Sequence, residues 1–203
     1  MTVEGVLKLQ EAGTSEEIIS AMMDIFQKEE TTRDRALRIH IQMLRSDVSS
    51  EYDRAVRELV RHGAYAVPLL VEQVVNDDER VRAGCLEVLG RIADPPSMES
   101  VYQCLVDRNQ AVRAKAARAI SMFDKDIVGP RLAAGISRTG TVRDGYALAL
   151  GYLGDLTYQP LLLKVADDPG PEVDRAAASY ALGLLGDPQP LVVRTLIEGV
   201  LND

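Results

Sequence analysis

The sequence predicts an all-α fold: an α-solenoid of about six stacked antiparallel helix pairs. Three observations carry this. An arginine-led stretch recurs about every 31 residues, and a fixed period of that size marks stacked supersecondary units. Each copy spaces small and apolar residues at helical intervals and then closes on a breaker. Hydrophobic residues make up 46% of the chain, yet aromatics only 4%, with no Trp. The core is therefore built of Ala, Val, Leu and Ile, which suits close helix–helix packing.

The N-terminal third is the least regular. Thr14-x-x-Glu17 reads as a capping box ahead of "EEIISAMMDIFQK". "RDRALRIHIQMLR" (33–45) and "SEYDRAVRELVRHG" (50–63) read as amphipathic helices, the second ended by Gly63. Residues 14–46 are expected to form a degenerate first pair that caps the stack, and 50–78 a second pair. Terminal repeats are atypical in such arrays. The chain is thus expected to be a single domain over 1–203, with irregular capping helices in 1–63 and regular repeats in 64–203.

Four aligned copies follow: "VRAGCLEVLGRIAD" (81–94), "VRAKAARAISMFD" (112–124), "VRDGYALALGYLGD" (142–155) and "DRAAASYALGLLGD" (174–187). Their arginines are Arg82, Arg113, Arg143 and Arg175. Gly154 and Gly186 fall where a helix ends on a left-handed residue. A second apolar segment comes after each copy, and an equivalent one, "AVPLLVEQVVNDD" (66–78), precedes the first. Gly90, Gly151 and Gly183 share one mid-helix position, with Ser121 as its fourth member. A glycine there costs a helix about 1 kcal/mol relative to Ala, which makes sense where a neighbouring helix passes too close for a Cβ.

The pattern V-R-x-x-A-x-x-A-L-G-x-L-G-D over residues 64–203 resembles HEAT-like repeats of the short kind, about thirty residues long, of the phycobilisome bilin lyase type. The resemblance implies the helix-pair superhelix. It also implies that a loop acid and the following arginine bond across repeats. Asp77 or Asp78 with Arg82, and Asp107 with Arg113, match that, whereas "SRTGTVR" has no acid before Arg143. The four arginines are read as structural.

Catalytic and metal-binding patterns are not found. His40 and His62 lie in no H-x-x-x-H and precede no Glu, so they are read as exposed or capping residues. No G-x-S-x-G and no glycine-rich strand–helix loop occurs. Asp77-Asp78-Glu79 and Asp167-Asp168 lack EF-hand spacing and suit helix N-termini. Cys85 and Cys104 fit no zinc or disulfide framework and are read as reduced core residues of a cytoplasmic protein. The N-terminus shows no basic stretch followed by a long apolar run. Net charge is −8, which disfavours phosphate backbones and anionic lipid, so neither nucleic acid nor membrane is the expected partner. Arg108, Arg113, Lys115, Arg118, Lys125 and Arg131, extended by Arg138 and Arg143, form the candidate anion surface, read first as a solvated helix face.

The expected function is a non-catalytic protein–protein interaction scaffold without cofactor or metal. Stacked pairs curve, and their second helices line an extended inner surface. By alignment Leu70/Val74, Val101/Leu105, Leu132/Ile136 and Leu162/Ala166 face the core. Glu72, Gln73, Tyr102, Gln103, Arg131, Lys164 and Arg194 face outward and are the candidate partner-binding residues. The alternative implied by the resemblance is a subunit of a bilin lyase, or another tetrapyrrole-handling factor, acting with a partner subunit. The last segment, 189–201, reads as a helix whose apolar side fills about half its circumference, and it is expected to self-associate or dock on a partner.

Overall fold

A computed structural model of the chain describes residues 14–138 and 142–186, together with Lys8 and Glu11. Among these residues the regular elements are all helical and none is a strand. The chain divides into two compact units, Met1–His40 and Ile41–Asp203.

Most of the first unit's described chain is helix α1 (Glu16–Met43), 28 residues long. Residues 14–46, expected as a helix pair, thus hold one continuous helix. The reason is local: Lys28–Thr32 contains neither Gly nor Pro. Thr31 and Thr32 donate their hydroxyls back to the carbonyls of Gln27 and Lys28, both at 2.8 Å, so both hydroxyls are satisfied inside the helix. The cap also differs from the expected one. Ser15 Oγ, not Thr14, accepts from the Ile18 amide at 3.4 Å.

The second unit is the repeat array. Its helices are α2 (Ser49–His62), α3 (Val67–Gln73), α4 (Glu79–Ile92), α5 (Met98–Gln103), α6 (Gln110–Ile120), α7 (Lys125–Ile136), α8 (Asp144–Leu153), α9 (Gln159–Ala166) and α10 (Glu172–Leu185). They form antiparallel pairs α2/α3, α4/α5, α6/α7 and α8/α9, and α10 opens a further repeat. First helices stack in sequence, α2 on α4, α4 on α6, α6 on α8 and α8 on α10. Each second helix packs on the first helix of the next repeat: α3 on α4, α5 on α6, α7 on α8, α9 on α10.

Caps set where the helices start and stop. Asp78, Asn109 and Asp124 each accept a backbone N–H at the start of α4, α6 and α7. Gly154 and Gly186 end α8 and α10 with φ of 71° and 67°. At the end of α4 the same left-handed place is held by Ala93, φ 50°, at a cost of about 1 kcal/mol.

Leu70, Val74, Val101, Leu105, Leu132, Ile136 and Leu162 all lie in the core. Ala166 departs from the expected pattern, because it is half-buried. Val165 is the buried neighbour of Leu162 instead. Positions three and four residues on share a helix face, and α9 ends at Ala166.

Two close approaches fix how the first helices stack. A Cβ on Gly90 would lie 2.7 Å from the Cα of Ala119, and one on Gly151 would lie 2.6 Å from the Cα of Ala181. These are backbone atoms, so no rotamer change relieves the clash. Gly183 is exposed in α10, and the segment after it lies outside the described residues. Gly151→Ala is expected to lower stability by about 1–3 kcal/mol through overpacking, although alanine gains about 1 kcal/mol in helix propensity. The urea midpoint of the variant checks this; a raised midpoint would mean the helices can move apart freely.

Candidate functional site

At one end of the repeats runs a chain of charge pairs. Arg82 is 3% exposed. Its Nε and Nη2 donate to the two oxygens of Asp107 at 2.9 and 3.0 Å, and its Nη1 to the carbonyls of Asn76 and Asp77 at 2.7 and 3.0 Å. Arg113 donates from Nε and Nη2 to Asp144, each at 2.7 Å, and from Nη1 to the Asp107 carbonyl at 2.8 Å. Arg143 reaches Asp168 at 2.8 Å and Asp174 at 3.2 Å. Asp174 Oδ1 also accepts from the Arg143 and Asp144 amides, both at 3.0 Å. Arg175 donates to the Gly170 carbonyl.

This corrects the expected pairing. The loop before each of Arg82 and Arg113 supplies carbonyls, and the carboxylate comes from the following repeat. The loop acids are engaged elsewhere: Asp78 Oδ1 caps α4 through the Arg80 amide, and Asp107 faces back to Arg82. One loop therefore joins two arginines, by the Asp107 carboxylate on one side and its carbonyl on the other. The acid missing before Arg143 is replaced by Asp144, at the first position of α8. Hydrogen bonding from Arg143 holds the Asp168 carboxyl below its ordinary range, and that bond in turn raises the guanidinium of Arg143.

Half of the candidate anion surface is engaged in ion pairs. Arg113 and Arg143 belong to the charge-pair chain, Lys115 is paired with Glu87 at 2.7 Å, and Arg131 with Glu99 at 2.7 Å. Lys115 lies on the first helix of its repeat and Arg131 on the second, so the group is split between faces.

On the second helices the structure joins two candidates. The Arg131 guanidinium lies 4.4 Å above the Tyr102 ring centroid, and the Tyr102 hydroxyl donates to the Arg131 carbonyl at 2.9 Å. Tyr146 meets the Tyr102 ring edge-on, with centroids 5.8 Å apart. Gly135 makes room: a Cβ there would strike the Tyr146 ring and come within 2.9 Å of the Tyr102 hydroxyl. Burial, then the neighbouring Tyr146, raises the Tyr102 hydroxyl. The Arg131 hydrogen bond holds Glu99 below the usual carboxylate range. An aromatic ring held between an arginine and a second ring is preorganised for contact.

Two pockets of about 390 Å³ lie along the same helices. The first is lined by Arg82, Gln103 and Asp107, among others. The second is lined by Arg143, Lys164 and Asp168 among its residues. Each residue of the second set stands 61 positions after its counterpart (82 to 143, 103 to 164, 107 to 168), so the pockets repeat at an interval of two repeats. Gln103 and Lys164 are thus brought to equivalent places. Glu72 is exposed on α3, and Gln73 accepts from the Asn76 amide group at 2.7 Å; both lie one repeat before Tyr102. Arg194 and the segment 189–201 lie outside the described residues. Sequence reasoning missed Glu99, Tyr146, Asp144 and Asp174, and it gave Asp168 to a helix N-terminus rather than to Arg143. The arginine-to-acid spacings of 25 and 31 residues were the available signal.

His40 and His62 sit in the last turns of α1 and α2. Both cysteines are free and buried. Burial pushes the Cys85 thiol up to about 12 and the Cys104 thiol up to about 11. Among the described residues no cluster of three His, Cys, Asp or Glu side chains suits a metal, and no helix is long and apolar enough to cross a membrane.

The family model for HEAT repeats matches residues 37–121 and 67–143, together more than half of the chain. The chain belongs to the HEAT-repeat family. No protein of curated function matches it in sequence. Among solved structures, this HEAT-repeat chain is similar to the complex of CpcE and CpcF of phycocyanin lyase from Nostoc sp. PCC7120, at 19% identity and a TM-score of 0.48, covering 80% of this chain and 69% of that one. It is similar to a designed armadillo repeat protein at 16% identity and TM-score 0.34, covering 80% and 87%. Human deoxyhypusine hydroxylase is similar at 16% identity and TM-score 0.31, covering 84% and 96%.

Arg113→Met should destabilise the HEAT array by about 3–5 kcal/mol, because Asp144, 1% exposed, is left as a buried unpaired charge. The double variant with Asp144→Leu should recover much of that loss; denaturation of the single and double variants checks it. Because both thiols are buried and raised, Cys85 and Cys104 should stay unmodified by a thiol reagent near pH 8 until the array unfolds. Mass spectrometry after timed alkylation reads the outcome, and rapid native labelling would contradict it.

Proposed function

We propose that the chain is a non-catalytic scaffold that holds a segment of another protein along α3, α5, α7 and α9. The observation that carries this reading is the recurrence of one pocket at equivalent positions two repeats apart. Neighbouring packed helices lie about 8–10 Å apart, so two repeats span roughly 16–20 Å. An extended chain advances about 3.3 Å per residue. A bound segment would therefore seat side chains about five or six residues apart, passing the Tyr102–Arg131 pair between them. The raised, buried thiols support this over a role in which the chain's own cysteines react, and they suit a reducing, cytoplasmic setting.

The second reading, a tetrapyrrole held on the same surface with a partner subunit, rests on the sequence resemblance to repeats of the bilin lyase type. The two are separated by what the surface binds. Peptides selected from a displayed random library should bind saturably, and Lys164→Glu or Arg131→Glu should weaken them at least tenfold without changing the melting temperature. Selected peptides indifferent to both reversals would overturn the scaffold reading. Saturable one-to-one binding of a bilin, followed by visible absorbance, would assign the surface to the pigment.

A further inference from the structure

The first helices carry a second face that the proposed binding surface does not use. Its two halves differ. In α4, Glu87 and Arg91 stand one turn apart and pair with one another. Glu87 accepts from the Tyr52 hydroxyl at 2.8 Å, from Arg91 at 2.5 Å and from Lys115 at 2.7 Å. The same two register positions change along the array. The Glu87 position becomes Arg118, Leu148 and Tyr180, and the Arg91 position becomes Met122, Tyr152 and Leu184. Met122, Tyr180 and Leu184 are 46%, 55% and 41% exposed, and Leu148 and Tyr152 are half-buried.

These side chains form one patch because the backbones meet beneath them. Gly151 lies against Ala181, which sets the next residues, Tyr152 and Tyr180, side by side. Burial, then the neighbouring Tyr180, raises the Tyr152 hydroxyl, and the positive charge of Arg118 acts against that rise. Arg118 is exposed. Unlike Arg91, Lys115 and Arg131, it pairs with no carboxylate among the described residues. Tyr, Met and Arg around a Leu form the composition that interface cores favour.

We infer that this face of α6, α8 and α10 docks an amphipathic helix of a partner protein, its apolar stripe over Tyr152, Tyr180 and Leu184 and a carboxylate at its edge against Arg118. The spacing supports a helix. A rise of 1.5 Å per residue carries it about 10.5 Å in seven residues, close to the 8–10 Å between stacked helices. Such a helix laid across the array meets one first helix every two turns. The occupant is acidic at its edge because the patch offers a free cation and no free anion of its own.

The probe is a labelled synthetic 18-residue amphipathic helix with a leucine stripe, made with glutamate flanks or with lysine flanks, and followed by fluorescence anisotropy. The glutamate form should bind saturably and at least tenfold more tightly than the lysine form. Leu184→Glu should weaken it at least tenfold, and Arg118→Glu should reverse the flank preference. Tyr180→Ser serves as a milder variant should Leu184→Glu fail to fold, and thermal melting of each variant checks folding. No saturable binding, or equal affinity in Leu184→Glu and Tyr180→Ser, overturns the inference. So does a concentration-dependent dimer abolished by Leu184→Glu, which assigns the face to a second copy. Binding weakened by Lys164→Glu but not by Leu184→Glu overturns this inference while leaving the proposed function standing.

Discussion

A buried guanidinium has five N–H donors to satisfy, and this array meets that demand only by joining repeats. Arg82 draws carbonyls from the loop before it and a carboxylate from the repeat after it. Arg113 does the same through Asp107 and Asp144. Neither repeat can close its own polar end, so each needs its successor. The fork of an arginine on a carboxylate is directional, whereas apolar burial is not. Pairs of this kind add little net stability, yet losing one member leaves a buried charge alone. The chain of pairs thus penalises a slipped register that the Ala- and Leu-rich core would tolerate.

Register in turn decides which side chains emerge on each face. At the loop end, the charge-pair chain consumes Arg82, Arg113 and Arg143, the last two of which belong to the apparent basic cluster of the sequence. What is left along the second helices is a mixed surface of an amide, an ammonium and a stacked tyrosine. On the opposite face, the contacts of Gly90 with Ala119 and Gly151 with Ala181 bring first helices together at the same height. The residues flanking those contacts become neighbours across repeats. Where they are charged, as with Glu87, Arg91 and Lys115, they neutralise one another; where they are Tyr152 and Tyr180, they stay available.

The repeat was legible because it is written in the period: the arginines, the mid-helix glycines and the Gly-Asp terminators recur in phase. The pairing was not, because the acids are out of phase with one another. Asp107 and Asp168 stand in loops 25 residues after their arginines, whereas Asp144 and Asp174 stand in helices 31 residues after theirs. An alignment on the arginines puts these acids in different columns. Helix α1 was misread for the opposite reason. Its two amphipathic stretches look like a pair by analogy with the later repeats, but Lys28–Thr32 holds no residue that ends a helix. Tyr102 and Arg131 were each legible as candidates on the second helices, although both are half-buried. Their contact was not, since it depends on Gly135 and Tyr146, which no local pattern ties to either.

Equivalent pockets need not be interchangeable. The backbone frame around Arg82 and Asp107 is repeated around Arg143 and Asp168, so the two sites have the same volume. Their linings differ in charge: the first has Asp77, Gln103 and Arg108, and where Asp77 and Gln103 stand the second has Arg138 and Lys164. An amide accepts and donates hydrogen bonds without a net charge, whereas an ammonium only donates. A segment spanning both would meet a site of mixed charge and then one with two added cations, Arg138 and Lys164, in that order along the chain. An anionic side chain would gain more at the second site than at the first, which would give such a segment a preferred direction. Repetition supplies the spacing, and the departure from repetition supplies the polarity.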